Sequence, residues 1–314
     1  MQIKEELAKI KLQKETLFTI GVFDGVHLGH QHLLAYLRNE ARKKGWLSGV
    51  VTFKSHPQTV LSPGSKLFWL NDLETRTSLL RGAGIDVIVV LSFTLELAQL
   101  TAREFIQLLK DYLQMRGLVI GPDFALGRNR GGDAAQLRLL GQEMGFSVEV
   151  VPPLVLDGEV VSSSAVRQTL AQGNMEKVEK LSGRLFSLSG RVVSGDKRGR
   201  VLGFPTANLD VKPEQALPGD GVYVTVAYIN HEALPSVTNI GIRPTFGGGE
   251  RVIETYLLDY EGQVPEQKLR IDLVSRLRDE RHFGTAEELK AQIRRDIDQA
   301  RIILDKRARQ EGLA

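Results

Sequence analysis

The sequence predicts an α/β domain followed by a β-barrel domain. Its 314 residues are enough for about two domains of roughly 150 residues each. In the first half, strand-like apolar runs alternate with segments of helical spacing, whereas in the second half short strand candidates are separated by glycines and prolines. We therefore expect a parallel sheet covered by helices over residues 1–183, and an antiparallel barrel over residues 184–314.

The first half contains apolar runs of strand length at residues 17–22, 49–53, 85–91, 118–121 and 148–151. Between them, apolar residues share single helical faces, at Leu33, Leu34, Leu37 and Ala41, and again at Phe105, Leu108, Leu109 and Tyr112. This order favours a parallel sheet with helices on both faces. Ligands of such sheets bind beyond the C-terminal ends of the strands.

The second half contains strand candidates at residues 185–193, 221–229, 236–240, 252–260 and 269–277. Turn residues separate these candidates, which favours antiparallel pairing. A helical segment over 164–181 precedes the predicted domain boundary, and a final helix covers about 285–307. The apolar stripe of the final helix consists of Leu289, Ile293, Ile297 and Ile303.

Composition excludes several classes of function. The chain has no cysteine, so disulfides, thiolate metal sites and cysteine nucleophiles are excluded. A net charge of +3 and 6% aromatic residues do not favour a nucleic-acid partner. No apolar run approaches the ~20 residues of a membrane helix, and residues 1–15 lack the apolar stretch of a signal peptide. We expect a cytoplasmic protein that acts on small molecules, with neither nucleic-acid nor membrane partners.

A glycine-patterned segment lies between the first strand and the first helix, with the sequence TIGVFDGVHLGH at residues 19–30. Gly21, Gly25 and Gly29 allow the backbone to approach a ligand closely, and a helix N-terminus attracts phosphate. His27 and His30 are three residues apart, so both can face one phosphate chain. The alternative is a turn whose histidines only cap the helix, but two histidines within this pattern favour phosphate binding.

The segment 23–30 resembles the histidine motif of the nucleotidyltransferase superfamily, and most closely that of the FMN adenylyltransferase domain in bacterial bifunctional riboflavin kinase/FAD synthetases. Residues 51–53, 56–57, 119–124 and 161–167 match the same family in the same order. The resemblance implies a Rossmann-like sheet, with His27 and His30 as catalytic groups at the ATP triphosphate. It also implies nucleotide contacts by Gly21, Phe23, Asp24, Gly25, Gly29, Asp123, Ser163, Ser164 and Arg167.

The implied reaction is attack of the FMN phosphate on the α-phosphorus of ATP, with pyrophosphate as the leaving group. Because the nucleophile is already anionic, catalysis depends on positioning and on charge neutralisation by hydrogen-bond donors and Mg²⁺. In this scheme Ser163, Ser164 and Arg167 bind phosphate at the start of the following helix. Asp123 holds a ribose or a base.

A second glycine-rich segment, GRVVSGDKRGR at residues 190–200, is followed by LGFPTANL at residues 202–209. The backbone N–H groups and cationic side chains of such a loop can wrap phosphates. Thr206 and Asn208 alternate along an extended segment, so their oxygens can face the same way as ligands of Mg²⁺. By composition alone, a solvated basic hairpin tip followed by a turn is slightly favoured.

The segment 203–208 is highly similar to the metal and ATP motif of riboflavin kinases, and residues 220–223, 239–247, 254–259 and 277–283 also match that family. The resemblance implies a six-stranded type of barrel in which Thr206 and Asn208 hold nucleotide-bound Mg²⁺. Glu254 is then the general base that takes the proton from the ribityl 5′-hydroxyl of riboflavin. Further implied contacts are with nucleotide, at Gly195, Lys197, Gly199, Arg200 and Pro205, and with flavin, at Arg243 and Phe283.

The resemblance covers about residues 16–303 and implies an enzyme that converts riboflavin to FMN, and FMN to FAD, with ATP and Mg²⁺. Departures from the family pattern at Ala165, Ile242, Tyr256 and residues 264–266 remove none of the proposed catalytic groups. One alternative is an enzyme in which only one of the two activities works. The other is a non-catalytic flavin or nucleotide sensor, which would keep the binding glycines but would not need Glu254.

Overall fold

The computed structural model describes residues 2–62, 64, 66–193, 202–230, 232–243, 250–260, 262, 264, 267–310 and 312. The chain forms two compact units, Met1–Ser163 and Ser164–Ala314. The first unit contains a parallel sheet and the second contains a closed barrel. Both predicted architectures are therefore confirmed.

The first unit has a central sheet with helices packed against it. The sheet strands are β1 (Thr16–Ile20), β2 (Leu47–Phe53), β3 (Val87–Leu91), β4 (Met115–Ile120) and β7 (Ser147–Val150). The helices are α1 (Gln2–Ala8), α2 (Leu28–Lys44), α3 (Pro57–Leu61), α4 (Leu73–Gly82), α5 (Leu95–Ala98), α6 (Ala102–Leu113) and α7 (Ala134–Met144). The connections contain a 3₁₀ turn at Arg128–Arg130 and four short strands, β5 (Ala125–Leu126), β6 (Gly132–Asp133), β8 (Val155–Leu156) and β9 (Glu159–Val160).

The sheet has the strand order β3-β2-β1-β4-β7, and all neighbouring strands are parallel. Strands are added on both sides of β1, so a crevice forms beyond the C-terminal ends of β1 and β4. Every residue of β1 is buried. Phe18 of β1 lies so close to Gly49 of β2 that a side chain at position 49 would overlap the ring. Close packing of an aromatic ring therefore explains a glycine in the middle of a central strand.

Apolar cores lie on both faces of this sheet. One core contains Phe18 of β1 and Phe105 of α6, and the other contains Leu17 of β1 with Leu34 and Leu37 of α2. Consecutive residues of β1 enter opposite cores because side chains alternate across a strand. The two helical faces expected from the sequence are buried as their spacing indicates.

The second unit is a barrel accompanied by three helices within the described residues. Its strands are β10 (Phe186–Val193), β11 (Thr206–Val211), β12 (Gly221–Ile229), β13 (Glu232–Arg243), β14 (Glu250–Leu257) and β15 (Lys268–Arg278). Its helices are α8 (Ser163–Ala171), which begins at the last residue of the first unit, α9 (Met175–Ser182) and α10 (Ala286–Gln310). The barrel closes in the antiparallel order β10-β11-β14-β13-β12-β15.

The segment expected to be one helix over 164–181 consists of two helices, because the chain turns between Ala171 and Met175. Gly173 has φ +74°, and a side chain there would lie 2.7 Å from Cδ of Arg276. Asn174 then caps α9, since its side chain accepts a hydrogen bond of 3.0 Å from the backbone N–H of Lys177. Contact with the barrel sets this break, and by their contacts α8 and α9 belong to the barrel unit rather than to the first unit.

Helix α10 covers part of the outer surface of the barrel. Ile297 and Ile303 of the predicted apolar stripe join a buried cluster with Val222, Val224 and Val237 of β12 and β13. Burial of this stripe explains why the barrel is followed by a long helix. No helix in the described part of the chain has the length and apolar character needed to cross a membrane.

Candidate active sites

A cleft of about 400 Å³ opens at the C-terminal ends of β1, β4 and β7. This is the edge of the sheet at which its topology places ligands. The cleft is lined by seven residues that the sequence predicts for the nucleotide site: Gly21, Phe23, His27, Gly29, His30, Asp123 and Ser163. His32 also lines the cleft and was not predicted, although it belongs to the same histidine-rich segment.

His27 is the N-cap of α2. Its Nδ1 accepts a hydrogen bond of 3.3 Å from the backbone N–H of His30. Because Nδ1 is the acceptor, the neutral imidazole carries its proton on Nε2, which is therefore a hydrogen-bond donor. The side chain is 4% exposed, and its ring stacks on that of His30 with centroids 3.7 Å apart. His27 thus caps the helix, and its contact with the triphosphate stays a prediction.

The turn before α2 has an unusual backbone. Gly25 has φ +83°, and Phe23 and Val26 also have positive φ, at 54° and 36°. Positive φ is strained for residues with a side chain, especially a β-branched one. A side chain at Gly29 would lie 2.6 Å from the carbonyl oxygen of Val161. Such a turn persists only where its surroundings hold it in place.

Asp24 supplies much of that support. Its buried carboxylate accepts hydrogen bonds from the backbone N–H of Leu70, at 3.0 and 3.1 Å, and from that of Asn71, at 3.3 Å. The backbone oxygen of Asp24 accepts a hydrogen bond of 2.9 Å from Oγ of Ser163. A side chain at Gly25 would lie 2.7 Å from Leu70. The structure therefore gives Asp24 a supporting role, and its contact with nucleotide stays a prediction.

Arg76 of α4 is a buried cation that sequence analysis did not identify. It is 1% exposed, its Nη2 donates to the carbonyl oxygen of Phe53 at 2.6 Å, and its guanidinium lies 4.6 Å from the ring of Trp69. Burial lowers the pKa of Arg76, while the charges of Asp24 and Asp72 oppose that shift. The arginine thus compensates the buried charge of Asp24. No local signal distinguishes it from a solvated helix residue.

The remaining predicted residues of the first site have different environments. Asp123 is exposed, and its backbone oxygen accepts a hydrogen bond of 3.0 Å from Arg130. Ser164 and Arg167 follow Ser163 along α8, the first exposed and the second half-buried. Their roles at phosphate stay predictions.

The second candidate site lies on the face of β11 and β14 that points away from the barrel interior. Thr206, Asn208 and Glu254 are half-buried, whereas Ala207 and Thr255, which alternate with them, are fully buried. Asn208 and Glu254 are directly opposite each other in the pairing of β11 with β14. Directly opposite side chains on one face have Cβ atoms about 4.5–5.5 Å apart. Barrel closure thus unites residues that are distant in sequence.

The chemistry of this group fits a hard cation. A hydroxyl oxygen, an amide oxygen and a carboxylate are oxygen ligands of the kind that Mg²⁺ prefers. In the part of the chain that the structure describes, no group of three or more His, Cys, Asp or Glu residues could hold a metal by itself.

The predicted flavin and phosphate contacts of the barrel are partly described. Phe283 is half-buried, and the guanidinium carbon of Arg281 lies 4.8 Å from its ring. Pro205 is exposed immediately before β11. Arg243 is the last residue of β13. The structure does not describe the other predicted contacts, which are the side chain of Arg243 and all of Gly195, Lys197, Gly199 and Arg200.

Two family models match the chain, one described as FAD synthetase over residues 9–165 and one described as riboflavin kinase over residues 182–304. The chain is 38% identical to the bifunctional riboflavin kinase/FMN adenylyltransferase of Escherichia coli strain K12, over 90% of this chain and 91% of the relative. It is 39% identical to that of Pseudomonas fluorescens, over 91% and 92% of the two chains.

Among solved structures, a crystal structure described as a macrolide-efflux protein from Streptococcus pneumoniae aligns with a TM-score of 0.88. It is 28% identical, and the alignment covers 94% of this chain and 96% of that one. The two family models over the two units define a transferase that acts with nucleotides. The chain belongs to the family of bifunctional riboflavin kinase/FMN adenylyltransferases.

Proposed function

We propose that the barrel unit phosphorylates riboflavin to FMN with ATP, and that the parallel-sheet unit transfers AMP from ATP to FMN, giving FAD and pyrophosphate. The observation that carries this proposal is that both family regions are matched on one chain. We assign the reacting groups to the stacked His27 and His30 in the cleft, and to the opposed Asn208 and Glu254 on the barrel. The domain division at residues 183/184 remains part of the proposal.

In the adenylyl transfer, an oxygen of the FMN phosphate bonds to the α-phosphorus as the bond to pyrophosphate breaks. We assign Nε2–H of His27 and the ring of His30 to the charge that develops on the phosphate oxygens. Preorganised donors in a site of low dielectric stabilise such charge without further reorganisation. The N-terminus of α2 adds its dipole, which favours negative charge. Asp24, Ser163 and Arg76 maintain the strained turn that holds these donors.

In the kinase reaction, the ribityl 5′-oxygen bonds to the γ-phosphorus as the bond to ADP breaks. We assign Glu254 as the base that accepts the hydroxyl proton. Thr206 and Asn208 would hold Mg²⁺, which supplies charge neutralisation on the phosphates when bound. Glu254 lies opposite Asn208, so the assigned proton acceptor and the assigned magnesium ligands share one face of the barrel.

Chromatography of flavins after incubation with ATP and Mg²⁺ tests the proposal directly. We expect FMN and then FAD from riboflavin, and FAD from FMN. FMN alone would restrict the chain to kinase activity, and FAD formed only from added FMN would restrict it to adenylyl transfer. A folded protein that binds flavin but forms neither product would instead support a sensor. Chelation with EDTA should stop both reactions, and added Mg²⁺ should restore them.

The proposed substrates also indicate the cellular compartment in which the chain acts. ATP and flavins are metabolites of the cytoplasm, and we propose that the chain acts there. Fractionation of cells that produce the protein, with both activities measured in each fraction, tests this location. Recovery of the activities in a non-cytoplasmic fraction would contradict it.

A further inference from the structure

A second carboxylate lies on the barrel surface near Glu254. Glu280 follows β15, and its carboxylate rests directly on Gly241 of β13, where any side chain would overlap it. Its Oε1 also accepts a hydrogen bond of 3.0 Å from Nδ2 of Asn239. The side chain of Glu280 therefore has a defined position against β13, although the residue is exposed.

Asn239 lies between this carboxylate and the strand of the proposed base. It lies directly opposite Glu254 in the pairing of β13 with β14, just as Asn208 lies opposite Glu254 in the pairing of β11 with β14. Its neighbours Thr238 and Ile240 are fully buried, whereas Asn239 itself is half-buried. Asn239 therefore faces the same side of the sheet as Glu254, so Asn208, Glu254 and Asn239 form one row across three strands.

The segment that contains Glu280 is also fixed by an ion pair with α10. Arg278 donates from Nη2 to Asp296 of α10 at 2.8 Å, and from Nε to the same carboxylate at 3.1 Å. Asp296 is 3% exposed, so this ion pair is protected from solvent. Two anchors therefore fix the position of Glu280, one on α10 and one on β13.

The chemistry of this contact determines how the Asn239 amide is oriented. An ionised carboxylate only accepts hydrogen bonds, so the amide must turn its NH₂ group towards Glu280. Its carbonyl oxygen is then turned away from Glu280 and remains an acceptor, on a residue that lies directly opposite Glu254. Riboflavin carries several hydroxyl donors on its ribityl chain, and the proposed reaction brings that chain to Glu254.

We infer that Asn239 is a substrate-positioning residue of the kinase site, which accepts a hydrogen bond from a ribityl hydroxyl while Glu280 holds its amide in the required orientation. This inference rests on the proposed kinase site around Glu254. Loss of the amide should therefore weaken recognition of the ribityl chain and leave recognition of the ring and of ATP unchanged.

Steady-state kinetics of riboflavin phosphorylation test the inference in the full-length chain. Asn239→Ala should raise the KM for riboflavin about 5- to 20-fold, as expected for one lost hydrogen bond. The KM for ATP should not change. The inhibition constant of lumiflavin, which has the flavin ring without the ribityl chain, should also remain unchanged. An unchanged KM for riboflavin, or an equal loss of lumiflavin affinity, would overturn the inference.

The role of Glu280 is tested with matched variants. Glu280→Ala should also raise the KM for riboflavin. Glu280→Gln retains an acceptor for the Asn239 amide, so its KM for riboflavin should remain near the wild-type value. The double variant Asn239→Ala/Glu280→Ala should be no worse than Asn239→Ala alone, and additive effects would contradict the coupling. Glu232→Ala, at the far end of β13, is the control.

The two proposals fail in different ways. If Glu254→Gln retains full kinase activity, the proposed base is wrong, but the comparison of riboflavin with lumiflavin still decides the role of Asn239. The KM for ATP in the kinase reaction, measured on each variant, reports whether the barrel is folded. A variant without measurable kinase activity is replaced by Asn239→Leu, which retains the approximate size of the side chain but has no hydrogen-bond acceptor, and the same change in riboflavin KM is expected.

Discussion

The imidazole rings of His27 and His30 stack, with centroids 3.7 Å apart and planes inclined by 21°. The backbone N–H of His30 also donates to Nδ1 of His27, so the first turn of α2 fixes both the position and the tautomer of the buried ring. Nδ1 of His27 thus caps the helix, and we propose its Nε2–H as a donor to an anionic ligand.

Removal of this donor should impair only the adenylyl transfer. His27→Asn retains an oxygen that can cap α2 but lacks Nε2–H. We expect the rate of FAD formation from FMN to fall about 10²- to 10³-fold, the usual effect of losing one preorganised donor. His30→Ala should act in the same direction. Riboflavin phosphorylation by the same chain should be unchanged, and equal loss of both activities would contradict separate sites.

Glu254→Gln should produce the opposite pattern. The amide retains the size of the carboxylate but cannot accept the hydroxyl proton, so riboflavin phosphorylation should fall about 10²- to 10⁴-fold. FAD formation from added FMN should continue at the wild-type rate. Rates from separate assays of the two reactions provide the measurement, with Glu232→Gln as the control. Normal kinase activity in Glu254→Gln would remove this residue from the mechanism.

Two glycines provide a matched test of close packing at the first site. A methyl group at Gly29 would lie 2.6 Å from the carbonyl oxygen of Val161 and 3.1 Å from the ring of His27. Gly29→Ala should therefore displace His27 and slow FAD formation about 10-fold or more. Gly82→Ala, in a helix with open space around it, should not reduce activity. Equal rates for the two variants would show that the turn tolerates displacement.

Asp24 and Arg76 should be coupled in stability. Each has a buried charge, so Asp24→Asn or Arg76→Met leaves the other charge less well compensated, at a cost of about 3 kcal/mol. The double variant should lose less than the sum of the single losses. The measurement is the temperature at which adenylyl transfer is lost on heating, with kinase activity of the same sample as reference. Strictly additive losses would disprove the coupling.

Glu6 of α1 should make the first unit sensitive to acid. Burial alone would raise the pKa of Glu6, but hydrogen bonds from Lys54 and Ser92 outweigh it and lower the pKa from 4.5 to about 2. Because the folded pKa is depressed, this carboxylate stabilises the fold above pH 4.5, and the stabilisation is lost as the pH falls towards 2.

Unfolding of wild type and Glu6→Gln, followed at about pH 7 and about pH 3, checks this expectation. Wild type should be more stable at the higher pH, and the difference between the two proteins should shrink at the lower pH. A difference that stays constant with pH would exclude Glu6 as the titrating group.

Local patterns were enough to predict both architectures and the order of the two motif sets. Apolar periodicity records which face of an element is buried, and this is a property of neighbouring residues. The histidine segment and the segment containing Thr206 and Asn208 were also recognisable, because their chemistry lies in short stretches of chain. The prediction of a single helix over 164–181 was wrong, because the chain turns at Gly173. That turn packs against Arg276, which lies far away in the sequence.

The two classes of domain and the residue types available for chemistry could thus be predicted from the sequence alone. Tertiary contacts bury Arg76 near the charge of Asp24, and they place Asn239 opposite Glu254 and within hydrogen-bond distance of Glu280. The physical reason is that strand register and the compensation of buried charge are set by contacts between distant segments. No local pattern encodes those contacts, because they exist only once the sheet has formed and the barrel has closed.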